Sequence, residues 1–387
     1  MKSTDQLASQ FEATRRSLTR ADTLSPHCYT APEWYEKEKE KIFRKEWICV
    51  GREQKVANNG DYFTITLGEE PVVIVRDHKG VVRAFLNVCR HRAAKVAVGS
   101  GNARTLVCGY HCWTYTLAGD LIVVPGKPDP MIGTENFDRK KYGLLPIRLE
   151  RWGGFLFVNF SEDAPSLMDW LGDLPQFLAN YRLEEMRTNR ELTFDVDVNW
   201  KVFVENTMES YHAGFVHSKF LPPDSEPQNW QFLETGGPYE AMYSNRSIMD
   251  FGNMPAIEGL DERQRTGLFH IWLHPNTTVH VASTYMTFRQ YIPRGHDKMQ
   301  ILYSWCFHQN TMDDPEFPKA SKFLYEQSVA ILQEDIDFIP LVQEGLRAKG
   351  ALPGRYSPSE FIVHRIGRYV IDMVSDDRPG RTLVAAE

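Results

Sequence analysis

Two short motifs constrain this chain more than any other feature. Cys89-Arg90-His91 and Cys108-Gly109-Tyr110-His111 each set a thiol beside an imidazole, and strand-like sequence with turn signals separates them. Each half follows a predicted strand, so each can occupy a loop tip, and the tips meet only if the chain doubles back. The surrounding periodicity agrees. Asn58-Asn59-Gly60-Asp61 is a turn signal before the alternating run Tyr62 to Leu67; Pro71 to Val75 and Val81 to Val88 follow as strands, and Gly153 to Phe160 closes an all-β region. Six cysteines in 387 residues are too few and too scattered for a disulfide framework, and Cys clustered with His points to metal. Cys28, Cys49 and Cys306 read as ordinary buried thiols.

Two thiolates and two imidazoles can hold a structural zinc ion. They are also the ligand set of a Rieske [2Fe–2S] centre, where two His replace two Cys on one iron and raise its potential. The tight Cys-x-His half departs from ordinary zinc-finger spacing. Asn87-Val88, Trp113-Thr114-Tyr115 and Gly119-Asp120 are placed to pack over and shield a cluster.

A second metal pattern lies in Asn199 to His217. Glu209 and His212 share a helix face at about 60°, but His212 and His217 would stand about 140° apart, so a regular helix cannot aim both at one point. Gly214, between them, is the expected place for the backbone to turn. Two imidazoles converging around a break suit a metal with one more, distant ligand. Elsewhere, Pro32 to Trp47 reads as one amphipathic helix whose charged middle, Glu36 to Lys41, is a solvated face. Residues 161–190 read as a helical connector, 215–265 as loop-rich, and Phe317 to Leu346 as a long helix.

A net charge of −7 gives no basic field for nucleic acid. No run approaches the roughly 18 apolar residues of a membrane span, and the N-terminus has no apolar leader core, so the chain reads as cytoplasmic.

Asn-Val-Cys-Arg-His-Arg at 87–92, Cys-Gly-Tyr-His-Cys-Trp-Thr-Tyr at 108–115 and Glu-Asn-Thr-Met-Glu-Ser-Tyr-His at 205–212 resemble the large (α) subunit of Rieske non-haem iron oxygenases. The likeness runs from about residue 30 to 345 and includes Phe43-Arg44-Lys45-Glu46-Trp47 and Trp152-Gly153-Gly154-Phe155. Ala93, Gly109 and Cys112 stand where the family usually has Gly, Pro and Gly; none of these changes removes a ligand.

The resemblance implies an α+β fold: an N-terminal helical arm (1–47), an all-β Rieske [2Fe–2S] domain (48–160), and a helix-grip catalytic domain (161–387) with a curved antiparallel sheet around a long helix. It implies a cluster on Cys89, His91, Cys108 and His111, and mononuclear Fe(II) on His212, His217 and a carboxylate from the pair Glu334-Asp335. Helix phase selects Asp335. Leu324, Ile331, Leu332, Ile336, Phe338, Ile339 and Val342 fall within about 100° of it, whereas Asp337 lies opposite. Pro340 is expected to disturb the helix just beyond.

By the same resemblance, Glu209 joins His212 to His111 of the partner subunit, and Asn206 approaches the iron. Electrons derived from NAD(P)H arrive through a reductase or ferredoxin, O2 is cosubstrate, and head-to-tail contact implies a homotrimer. Glu rather than Asp at 209 points toward relatives that oxidise choline, betaines and carnitine. The expected reaction is hydroxylation next to nitrogen, with possible N-demethylation. Trp272, Tyr285, Phe288 and Tyr291 are candidates for a cation–π cage. The alternatives are hydroxylation of an aromatic acid, a non-catalytic Rieske electron carrier, and a zinc-stabilised binding module.

Overall fold

The computed structural model describes residues 4–128, 130–220, 230–244 and 254–375. The backbone forms two compact units, one spanning Trp47–Leu167 and the other joining Met1–Glu46 to Met168–Glu387. The N-terminal segment thus belongs with the C-terminal part of the chain.

The first unit is all-β. Its strands are β1 (Ile48–Arg52), β2 (Asp61–Leu67), β3 (Glu70–Arg76), β4 (Val82–Leu86), β5 (Ser100–Asn102), β6 (Leu106–Val107), β7 (Thr114–Tyr115), β8 (Leu121–Val123), β9 (Pro146–Trp152) and β10 (Phe155–Asn159). Seven pair in the order β1-β10-β9-β4-β3-β2-β5, and β6-β7-β8 form a small second sheet. Alternation sets the faces: Phe63, Ile65 and Leu67 are buried on β2 while Tyr62, Thr64 and Thr66 are half-exposed. The core between the sheets gathers Val73, Phe85, Trp113 and Tyr115 around Cys89 and Cys108. Gly119 (φ +97°) serves this packing, because a Cβ there would stand 2.6 Å from the Phe85 ring.

The second unit is α+β, as expected. A seven-stranded antiparallel sheet runs β11 (Arg187–Val196), β17 (Lys298–Phe307), β16 (Met286–Gly295), β15 (Thr277–Val281), β14 (Leu268–Leu273), β13 (Tyr239–Ser244) and β12 (Trp230–Leu233). One face meets the long helix Phe317–Leu346: Trp305 Nε1 donates to Ser328 Oγ at 3.2 Å, and its ring meets Tyr325 edge-on. The same face touches a shorter helix, Trp200–Thr207, where Tyr291 OH donates to Thr207 Oγ1 at 2.8 Å. The opposite face carries Phe269, which packs on Phe177 and Tyr181.

The long helix has the predicted bounds and continues past Pro340. The proline forfeits one helical hydrogen bond, but buried Leu332, Ile339 and Gln343 hold the helix in place on both sides. Phe338 and Val342, expected on the buried stripe, are 51% and 41% exposed, so the stripe is narrower than the phase argument allowed.

The predicted helix from Pro32 to Trp47 stops at Glu38 and continues as a wide π-turn, Lys39–Phe43. Glu38, expected in solvent, is fully buried. Three donors make that burial possible: Trp34 Nε1 at 2.8 Å, Trp200 Nε1 at 2.9 Å and the buried Lys201 ammonium at 2.6 Å. The connector 161–190 resolves into several short helical turns between Leu167 and Glu185, and its last residues, 187–190, belong instead to β11. The loop-rich reading of 215–265 falls partly on 221–229 and 245–253, outside the described residues.

Candidate metal centres

The two cysteine loops are built alike. Cys89 N–H donates to Ala94 O and Cys89 O accepts from Ala93 N–H; Cys108 N–H donates to Trp113 O and Cys108 O accepts from Cys112 N–H. In each loop the fourth residue after the cysteine is left-handed, Ala93 at φ 59° and Cys112 at φ 54°. Asn87 clamps the first loop, accepting from Val96 and Ala97 N–H at 3.0 Å and donating to Ala97 O at 2.8 Å.

Both ligand-type thiols are buried, whereas the His91 and His111 imidazoles are exposed, 4.7 Å apart between ring centroids. His91 stacks on Trp113 at 4.8 Å. Tyr115 OH accepts from Arg90 N–H at 3.0 Å and lies within hydrogen-bond distance of Cys89 Sγ, at 3.2 Å. Burial first, then the Cys89 thiol, raises the Tyr115 pKa and keeps the phenol protonated. His91 titrates below the usual histidine range, through desolvation and then His111 and Arg92, which favours the neutral ring a metal would take.

This donor set fits a two-iron cluster, with sulfur ligands inside and imidazoles outside. Among the described residues, the group that closes on a single-ion position is His212, His217 and Asp335.

The second centre rests on how the helix Trp200–Thr207 is held. Asn199 caps it, accepting from Lys201 N–H at 3.1 Å, and Asn199 N–H donates to Gln343 Oε1 on the long helix at 2.9 Å. The helix then ends, a turn covers 208–212, and a short helix Ala213–Val216 follows. The break therefore precedes Gly214, and the cause is Glu209. Its carboxylate accepts from the N–H groups of Tyr211 and His212 and also bonds His212 Nδ1. Binding the N–H groups of the turn in this way replaces the continuous helix face expected for Glu209 and His212.

With the chain so turned, His212 Nε2 and His217 Nε2 approach to 3.2 Å, and Asp335 Oδ1 stands 3.2 Å from His217 Nε2 and 3.6 Å from His212 Nε2. The Asp335 carboxylate is buried, and its Oδ1 has no hydrogen-bond donor. A buried bare carboxylate oxygen facing two imidazole nitrogens fits a divalent cation. Asp337 is exposed and bonded to Gln333 at 2.8 Å. Burial lowers the His217 pKa, but Asp335 and then Glu334 outweigh this and hold it above the usual range.

Glu334 is a contact that the sequence reading missed: it bonds His217 Nδ1 at 3.0 Å, as Glu209 bonds His212. Its place beside Asp335 was the available signal. Asn206, half-buried in the last turn of its helix, bonds none of these side chains among the described residues. Of the cage candidates, Phe288 lies on the sheet face turned away from the centre, by strand alternation from Arg289 and Tyr291.

Residues 183–376 match the ring hydroxylating alpha subunit (catalytic domain) profile, and 46–138 match the Rieske [2Fe-2S] domain. The glycine betaine monooxygenase oxygenase subunit of Pseudomonas aeruginosa strain PAO1 is 33% identical, over 88% of this chain and 86% of its own. The carnitine monooxygenase oxygenase subunit of Escherichia coli strain K12 is 30% identical, over 85% of each. The chloroplastic choline monooxygenase of Beta vulgaris is 29% identical, over 89% of this chain and 75% of its own. A solved quaternary ammonium Rieske monooxygenase, described for carnitine oxidation and inter-subunit electron transfer, matches with TM-score 0.79 at 25% identity, over 97% of this chain and all of that one (100%). Naphthalene 1,2-dioxygenase from Rhodococcus gives 0.79 at 20% identity, over 97% and 100%, a likeness of fold.

Proposed function

This chain belongs to the ring-hydroxylating α subunits of Rieske oxygenases, and from that premise we propose that it hydroxylates a small methylated amine or betaine at carbon next to nitrogen. It is the oxygenase component of a multicomponent system that draws electrons from a reductase or ferredoxin. The observation that carries the reading is the assembled His212, His217 and Asp335 group in a chain whose relatives bear quaternary-ammonium names. That intact second centre also argues against a mere electron carrier.

In this reading Cys89, His91, Cys108 and His111 hold the cluster, and His212, His217 and Asp335 hold the iron. When bound, the cluster supplies single electrons and the iron supplies O2 activation at positions the three ligands leave open. The protein's own groups set the stage. Glu209 and Glu334 fix the two imidazole rings by taking their outer nitrogens. Trp113 covers one face of His91, and Tyr115 OH tunes the Cys89 sulfur. A second hydrogen bond from Glu209, to His111 of the partner subunit, would couple the centres in a homotrimer, and Asn206 would line the approach to the iron. Among the described residues no helix is long and apolar enough to cross a membrane, and six cysteines outside any disulfide fit a reducing cytoplasm.

The test is O2 uptake by the reconstituted holoenzyme with a reductase, across choline, betaines, carnitine and aromatic acids. Coupled turnover of a methylated amine is expected; coupled turnover of aromatic acids alone would replace this reading with aromatic hydroxylation.

A further inference from the structure

The sheet face turned toward the metal-binding helices carries a charge that the reaction as described does not use. Arg289 lies on β16, paired across the sheet with Thr278 on one side and Tyr303 on the other. It is 8% exposed, its guanidinium sits 4.5 Å from the Tyr303 ring centroid, and its Nε has no hydrogen-bond partner. Among the described residues no carboxylate forms an ion pair with it. Burial, which would lower its pKa, is outweighed by the Tyr303 and Tyr291 phenols and by Asp335, so Arg289 stays charged. Its neighbour on the same face, Tyr291, bonds Thr207 at the end of the helix that leads into His212.

Two histidines share this face. His270 pairs with His280, and His280 with Thr287, two residues from Arg289. Their rings stand 4.6 Å apart, His270 is 7% exposed, and neither Nε2 has a hydrogen-bond partner. Burial lowers both pKa values, that of His270 to about 3, with Arg289 adding to the effect, so both rings are neutral. One face thus presents a buried cation and two uncharged imidazoles with unused polar atoms. Buried polar groups are normally satisfied, and a buried charge is normally paired.

We propose that Arg289, with His270 and His280, receives the carboxylate of the substrate, so that this oxygenase acts on zwitterionic betaines and disfavours bare cations such as choline. The proposal rests on the methylated-amine reading above and narrows it. The guanidinium supplies the charge and a planar donor fork, and each imidazole can donate Nε2–H without adding charge. The same cation repels an unaccompanied ammonium in a site of low dielectric.

The experiment is calorimetric binding to the assembled holoenzyme, comparing a trimethylammonium carboxylate with its neutral amide and with choline. Wild type should bind the carboxylate about 100-fold more tightly than the amide. Arg289→Gln should bring the two within a few-fold, and Arg289→Lys should keep part of the difference. Retained cluster absorption identifies folded variants, and the acid–amide comparison in wild type needs no variant. Equal wild-type affinities, or a preference that survives Arg289→Gln, would overturn the proposal. Choline bound and oxidised in preference to carboxylates would also overturn it while leaving the methylated-amine reading intact. Arg289-dependent binding of benzoate-type acids, with no amine bound, would uphold the carboxylate site and overturn the amine reading.

Discussion

Replacing Ala93 and Cys112 by glycine should strengthen the two loops that carry the proposed cluster ligands. Both residues hold left-handed backbone at the same position of matching loops. A Cβ in that region costs about 1–2 kcal/mol, while glycine loses about 0.5–1 kcal/mol more chain entropy on folding than alanine. The net gain is therefore about 0.5–1 kcal/mol per loop. If loop opening precedes cluster loss, about 1 kcal/mol slows that loss roughly 5-fold. The assay is bleaching of the visible cluster absorption with an iron chelator at a fixed elevated temperature, for wild type, each single variant and the pair. The pair should outlast either single. Faster bleaching in the glycine variants, or no change, would mean that these residues do not strain the loops.

Three further outcomes are expected. Asp335→Ala should lose mononuclear iron and turnover but keep the cluster, whereas Asp337→Ala keeps both; iron analysis with EPR decides, and iron loss from Asp337→Ala would break the assignment. Glu209→Gln should retain both metals yet slow single-turnover oxidation sharply, and co-assembled His111→Ala and Asp335→Ala subunits should recover activity; no recovery would argue for electron flow within one subunit. Glu205 is raised to about 8 from the usual 4.5, mainly by burial and then by Glu360 and Glu38, against Tyr29 and Lys201. A raised carboxyl stabilises fully below about pH 4.5 and loses that contribution as pH climbs through about 8. Glu205→Gln should thus gain up to about 4–5 kcal/mol on wild type at pH 9, and parallel pH–stability curves would refute the burial argument.

Much of the site was legible because ligand chemistry and helix period are local properties. The Cys-x-His and Cys-x2-His halves named their own loops, and the apolar stripe on the long helix separated Asp335 from Asp337. What stayed hidden depended on partners distant in sequence. Glu38 looked solvated because nothing nearby reveals that Trp200 and Lys201 wait for it. The helix break fell before Gly214 because a carboxylate, rather than glycine's freedom, ended the helix. Arg289 reads as one more polar residue on a strand until its register shows which face it occupies.

The all-β unit enters after Glu46 and leaves at Leu167, while the chain on either side builds a single other unit. Its entry and exit are tied together: β1 pairs with β10, and Trp47 Nε1 donates to Pro165 O at 3.1 Å. An insert whose ends already meet can be exchanged through two adjacent cuts with little strain on its host. The two units can then evolve, or be engineered, as separately inherited traits: exchanging the insert replaces Cys89, His91, Cys108 and His111 together, while Arg289 and its neighbours stay with the host.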